Sequence, residues 1–346
     1  MKPYSVVLTF SLLLLPAAGW AQGTSQNVSK SGTAAAPFLE IPVGAAQVGM
    51  GTAVVSRVAD PSALYWNPAG SALSDQNEVG ATHMTWIADT KFDFVGLILP
   101  LSGLGTLGIS FTSLSMEDMK VTTVEKPDGT GEYFSAGDIA AGISFARKLS
   151  DRFAVGFTVK YIQQAIWHES ASSFALDFGT TFRTDLLGGL VIGASLSNFG
   201  TSMTLSGRDL RQFGRIDPTI LGSNERIPSD IEMDSWDLPL QFRIGISFDP
   251  VKSDEYRWTV AADATHPSDN YEWVNAGTEL AYRESFFLRG GYHSIFLDEA
   301  EGGLSLGVGV ASTLLFSSTT VVKLDYGYRD MGRIGGVNAI TLGVKF

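Results

Sequence analysis

The chain has no cysteine among its 346 residues. Disulfide staples, thiolate metal sites and a cysteine nucleophile are therefore excluded. A bacterial lipoprotein anchor, which is built on an N-terminal cysteine, is excluded with them. Charge is also sparse. Asp, Glu, Lys and Arg make up 17% of the chain, against about 25% in a typical soluble protein, so much apolar surface is left without ionic solvation. The formal net charge of −12 leaves no basic face for phosphate, and nucleic acid is not expected as a partner. No apolar run reaches the ~20 residues that a transmembrane helix needs.

The best apolar run, residues 6–15 (VVLTFSLLLL), follows Lys2 and precedes the small residues Gly19 and Ala21. That order is a secretory signal, with the cut expected after Ala21. The protein is thus expected to be exported. If it then crosses a membrane it must do so as a closed barrel, because only helices and barrels satisfy every backbone group in lipid.

Catalytic and metal-binding patterns are missing too. The four histidines, His83, His168, His266 and His293, show no HExxH-type spacing. There is no GxSxG elbow and no phosphate-binding Gly-Lys-Ser/Thr loop, and Gly49-Met50-Gly51 lacks the third glycine of a dinucleotide fingerprint. Asp230, Glu232, Asp234 and Asp237 lack the glycine and terminal glutamate of a calcium loop and read as a solvated acidic stretch. His168-Glu169 is too isolated to nominate as an acid–base pair. No catalytic, cofactor or metal site is expected, and the chain is not expected to be an enzyme.

What is present is strand after strand. About fourteen segments of the length of a tilted membrane strand can be read, at 79–87, 91–101, 104–114, 134–148, 152–167, 172–184, 188–199, 238–249, 256–265, 271–282, 285–294, 303–313, 318–328 and 337–346. Several alternate with a period of two. Leu238, Leu240, Phe242, Ile244, Ile246 and Phe248 share one face; Gln241, Arg243, Gly245, Ser247 and Asp249 share the other. Phe153, Val155, Phe157, Val159 and Tyr161 oppose Ala154, Gly156, Thr158 and Lys160. In a soluble sandwich the apolar face is the core. In a membrane barrel it faces lipid.

Three features favour lipid. The long links, about 115–133, 200–237 and 295–302, all follow odd-numbered strands, and the links after even-numbered strands are short, as in outer-membrane barrels. Aromatics fall at both strand ends: Phe153, Tyr256, Tyr282, Phe286 and Phe346 on the short-turn side, Trp86, Phe134, Trp167, Tyr271, Tyr292 and Tyr328 on the other, forming two interface girdles. The chain also stops on an aromatic, Phe346, the terminus that the barrel-assembly machinery reads. Together they place the protein in a Gram-negative-type outer membrane, in contact with its lipid. The inward face would carry Lys160, Asp177, Arg183, Arg243, Asp263, Glu279, Arg289, Lys323, Asp325 and Arg329. These charges either pair with one another and with a lumen plug, or line a path for a polar solute.

The stretch that does not read as strand is residues 43–70, VGAAQVGMGTAVVSRVADPSALYWNPAG. Gly49 and Gly51 punctuate it, and Asp60-Pro61 and Asn67-Pro68 mark turns. Between them, residues 62–66 could form one helical turn. Small residues suit a place with little room, so the stretch either plugs the barrel or lies along its surface as an arm. The expected organisation is a signal over 1–21, an arm and plug over 22–78 and a barrel over 79–346, an all-β transmembrane antiparallel β-barrel.

The run Gly44…Gly49-Met50-Gly51…Ala59-Asp60…Ser62-Ala63…Trp66-Asn67-Pro68-Ala69-Gly70 resembles the opening of the PorV/PorQ family of outer-membrane proteins, itself similar to the FadL-type transporters. Asp177-Phe178-Gly179-Thr180, residues 195–200 (SLSNFG) and residues 325–332 (DYGYRDMG) agree with it. Pro61 replaces an expected second acidic residue and Ser71 an expected leucine. The resemblance implies a fourteen-stranded barrel with an N-terminal hatch, and two possible roles. PorV-like members serve type IX secretion, receiving secreted cargo proteins and working with other components of that pathway. FadL-like members admit fatty acids or other hydrophobic solutes. The link over 200–237 carries Arg208, Arg211, Phe213, Arg215 and Arg226 among apolar residues, a mix better suited to gripping a protein than to lining a fatty-acid entrance. The secretion role is the favoured expectation.

Overall fold

The computed structural model describes residues 30–214, 227–297, 300–313 and 320–346. The segment read as a signal, residues 1–21, therefore lies outside the described residues, as do Arg215 and Arg226. Among the described residues fourteen long strands close into one antiparallel barrel. In chain order they are β1 (Glu78–Thr85), β2 (Lys91–Leu101), β3 (Gly105–Ser115), β4 (Ala136–Lys148), β5 (Phe153–Ile166), β6 (Glu169–Arg183), β7 (Val191–Gly200), β8 (Gln241–Lys252), β9 (Tyr256–Pro267), β10 (Trp273–Tyr282), β11 (Phe286–Ile295), β12 (Leu304–Thr313), β13 (Val321–Asp330) and β14 (Gly336–Lys345). Each strand pairs with its neighbours in sequence, and β1 closes on β14 from Glu78↔Lys345 to Thr85↔Asn338. Closure leaves no sheet edge unpaired, which a sheet in lipid requires.

The period of two decides the faces. Val95, Ile109, Phe157, Phe178, Ile244, Leu288, Val308 and Ile340 point outward and are exposed. They form an apolar exterior with few ionisable residues. One exception is His83 on β1, whose Nδ1 lies 2.7 Å from Asp93 on β2. A pair is the form in which charge is tolerated at the edge of a lipid belt.

Three details differ from the sequence reading. The eighth strand starts at Gln241, not at 238, and Leu238 is buried in the interior cluster. Pro239 interrupts it, since a proline cannot donate to the ladder. The fourth strand starts at Ala136, and Phe134 belongs instead to a two-residue ladder, Met119–Lys120 with Tyr133–Phe134, above the barrel. Trp86 is also not part of a lipid-facing girdle. It packs against the interior cluster.

The interior is occupied by the chain's own N-terminal part. A short 3-10 turn (Pro37–Glu40), two helical turns (Ala45–Gly49 and Ala63–Trp66) and a second 3-10 turn (Pro68–Leu73) follow one another inside the wall. Almost every residue from Phe38 to Ala72 is shielded from solvent. The wall meets this inner segment with glycine. A Cβ on Gly307 of β12 would reach Gly49 at 3.0 Å, and one on Gly291 of β11 would reach Gly51 N and Met50 C at 2.3 Å. Gly193 of β7 abuts Ser56, Gly156 of β5 abuts Pro68, and Gly327 of β13 abuts Ala45. The reason is geometric: the segment's backbone lies against the strands, with no room for side chains between.

Gly291 and its outward neighbour Gly290 make a matched test. A Cβ on Gly290 meets nothing within 4 Å. Gly291→Val is expected to destabilise the barrel by about 1–3 kcal/mol through overpacking. Gly290→Val is expected to leave the thermal midpoint in detergent unchanged within error.

Candidate functional site in the barrel lumen

The inner segment is held by hydrogen bonds as well as by contact. Asp263 on β9 is buried, and its Oδ2 accepts from Val54 N at 2.6 Å and Val55 N at 2.8 Å. Two adjacent backbone donors are thereby satisfied by one wall carboxylate. Asn67, wholly buried, donates through Nδ2 to Val55 O at 2.8 Å and to Thr180 O of β6 at 3.0 Å. Its Oδ1 accepts from Ala69 N at 3.2 Å and so caps the 3-10 turn that Pro68 begins. Trp66 Nε1 donates to Val43 O at 2.8 Å, and Ala45 N donates to Thr341 Oγ1 of β14 at 2.8 Å.

These contacts give a structural place to each residue of the Gly/Asn-Pro motif. Gly49 lies against Gly307. Gly51 has φ +61° and lies against Tyr292 N. A side chain on Gly70 would strike Val58 O, and Pro68 and Ala69 rest on Gly156 and Gly179. Asp60 accepts from Ser62 N and from Gln47 Nε2, both at 2.9 Å, shaping the turn into the Ala63–Trp66 helix.

The inward charges fall into groups. Arg289 is 2% exposed and lies between Glu279 at 2.6 Å and Asp325 at 2.7 Å. Arg257 pairs with Glu279 at 2.9 Å, and Lys323 with Asp325 at 3.4 Å. Lys160 pairs with Asp177 at 2.9 Å, next to Asn198. Asn198 has φ +66° and sits where β7 and β6 slip register, with its N–H on Asp177 Oδ1 at 2.7 Å. Arg243 donates to Gln241, and its guanidinium lies 5.2 Å from the Trp66 ring centre. Arg329 approaches His293 Nδ1 at 3.1 Å. Arg183 stands apart, exposed at the short-turn end of β6.

Sequence reasoning missed Arg257, Arg57 and Glu40. Arg257 shares parity with Asp263, so strand alternation carried the signal. Arg57 pairs with Asp249 at 2.8 Å, but it lies in the inner segment, where no period points to a partner. Glu40 accepts from Gln241 Nε2. Burial, with Asp269 nearby, raises the Glu40 pKa to about 7.

The inner segment lies between two chambers. Thr265 and Trp273, Arg329 and Met331 near long-loop strand ends, together with Phe38, Thr52 and Trp66 of the segment, line an outer one of about 380 Å³. Arg257, Arg289, Ala311 and Lys323 near the short-turn ends, with Met50, Val54 and Arg57, line an inner one of about 520 Å³.

On the long-loop side, Arg211–Gly214 pairs with Ile227–Asp230 as an external ladder. Arg211 faces Asp230 at 3.5 Å, and Phe213 is two-thirds exposed. Arg208 is exposed. His168 Nδ1 lies 2.6 Å from Asp209, and Asp209 N donates to Glu169 at 2.9 Å, so this link is tied to the β5–β6 turn. His168 and Glu169 thus share a loop clasp. Among the described residues no cluster of His, Asp and Glu could hold a metal ion. Phe346, half-exposed, donates its N–H to Asn77 O at 2.9 Å beyond the end of β14.

The sequence matches the family described as type IX secretion system protein PorV over residues 24–266. The chain belongs to the PorV family. No curated protein matches it in sequence. Among solved structures it is similar to a Pseudomonas aeruginosa FadL homologue, with a TM-score of 0.52 and 12% identity over 88% of this chain and 98% of that one. It is similar to the Pseudomonas putida toluene transporter TodX, with a TM-score of 0.54 and 14% identity over 88% and 97% of the two chains. The Ralstonia pickettii toluene transporter TbuX gives 0.52 and 12% over 88% and 97%. At these identities the likeness establishes the fold, a FadL-like outer-membrane β-barrel. The family is that of a type IX secretion system protein, and the fold is shared with FadL-like barrels.

Two outcomes test the lumen geometry. Asn67→Ala leaves Val55 O and Thr180 O without their donor and is expected to cost about 1–3 kcal/mol, with protease sensitivity appearing near residue 67 in detergent-purified protein. Glu40 has a folded pKa near 7 against 4.5 when free. The folded state therefore binds the extra proton, and stability contributed by this group falls as pH rises through 4.5 to about 7. Glu40→Gln is expected to flatten the thermal midpoint across that window.

Proposed function

We propose that the protein acts in type IX secretion, receiving secreted cargo proteins at the outer membrane on the long-loop side of its barrel. Family membership supports the pathway. The observation that carries the cargo reading is the seating of the inner segment. Its backbone rests on wall glycines and is bonded to Asp263, Thr180 and Thr341. Displacing it would leave buried donors and acceptors unpaired at several points. A barrel so closed is better suited to binding at its mouth than to passage through its middle. The exposed ladder carrying Arg211 and Phe213, with Arg208 beside it, offers the mixture of guanidinium and aromatic groups that protein interfaces favour.

A second reading, a channel for fatty acids or other hydrophobic solutes, draws on the two chambers. It needs the segment between them to move. Export by a signal over residues 1–21 and recognition of Phe346 by the barrel-assembly machinery belong to either reading.

The test is deletion of the gene followed by analysis of surface and culture proteins. Loss of a set of exported proteins, reproduced by trimming the link over 200–237 in an otherwise folded barrel, is the expected result. An unchanged secretome, together with fatty-acid uptake that fails in an Asn67→Ala strain, would replace the cargo reading with the channel.

A further inference from the structure

The outer chamber is walled by hydrogen-bond donors that have nothing to donate to. Arg329 Nε, Trp273 Nε1 and Thr52 Oγ1 belong to residues lining it, are buried, and find no partner among the described residues. Buried polar groups are ordinarily paired, and two of these three atoms can only donate. The missing partner is therefore an acceptor. The same corner holds a fourth such atom: Ser305, paired across the sheet with Arg329, has an unpartnered Oγ.

The charges in the chamber point the same way. Glu40 is the one carboxylate among its lining residues, and its side chain accepts from Gln241. Arg243 is turned to Gln241 and Trp66. Among the described residues Arg329 reaches only the imidazole of His293, at 3.1 Å, and its positive charge meets no carboxylate. Apart from Thr265 and Asn275, the remaining walls are apolar, with the indoles of Trp66, Trp86 and Trp273 prominent among them. The volume, about 380 Å³, lies within the range of small-molecule sites. Trp66 and Thr52 belong to the inner segment, which floors the chamber and leaves a long acyl tail no onward run.

The geometry points to a binding site for a small aromatic carboxylate in the outer chamber, its ring among the tryptophans and its carboxylate on Arg329 and Trp273. A neutral hydrocarbon would fill the same space but leave these donors unpaired. The site is independent of cargo binding and requires no passage through the inner segment.

The experiment uses the full-length protein purified in detergent and follows its tryptophan emission on titration with 2-naphthoate. Saturable quenching is expected, with neutral naphthalene at least about tenfold weaker because it lacks the charge-assisted bonds. Trp273→Phe removes only the indole N–H among polar groups but also trims the wall, and is expected to weaken naphthoate by a clearly larger factor than naphthalene. Arg329→Met is expected to weaken it by about tenfold or more. Equal binding of naphthoate and naphthalene, or a folded Trp273→Phe protein that binds naphthoate as wild type does, overturns the proposal. The Trp273→Phe arm decides the matter if Arg329→Met does not fold. Secretion by the same variants separates this result from the cargo reading.

Discussion

The structure depends on backbone lying directly against backbone inside the barrel. A segment without a sheet of its own has orphan N–H and C=O groups, and in a confined lumen each needs a partner. The wall supplies them at fixed heights: Asp263 for Val54 and Val55, Thr341 for Ala45, the Thr180 carbonyl for Asn67. Such bonds form only if the two chains come close, and the inward glycines permit it. Gly291, Gly307, Gly193 and Gly156 are thus packing positions. The interior is filled in the manner of a protein core, with one chamber above it and one below.

The inward charges fit this account. The set formed by Arg257, Glu279, Arg289, Asp325 and Lys323 spans four strands and, with Glu284 also paired to Arg257, neutralises itself. A pair deprived of water is expensive to break once formed, so these residues fix strand positions and the level at which the inner segment rests. Arg329 differs because, among the described residues, its wall neighbours offer it no carboxylate.

Much of this was legible in the sequence. A period of two in segments such as 153–161 dictates both faces of a strand, and the order of short and long links dictates which end is which. The strand count follows. Leu238 misled because it continues the alternation of β8 past the point where Pro239 ends the ladder. Phe134 misled because an aromatic at a predicted strand start can equally belong to a loop ladder. The motif around Asn67-Pro68 announced itself by its turn chemistry, yet no periodicity could say that Asn67 bonds to β6 across more than a hundred residues. Glu40 was invisible for the same reason: its environment is made by Gln241, Arg243 and Asp269, all distant in the chain. Pairings between a segment without a repeat and a wall with one are set by three-dimensional closure.

The link from Ala45 to Thr341 joins residues 296 positions apart. A ribosome makes the first of them long before the second. The innermost part of the molecule is therefore synthesised before the surroundings that receive it exist. Its bond to Thr341 can form only once β14 is in place, so a stretch made before the wall takes up that contact only with the wall's last strand.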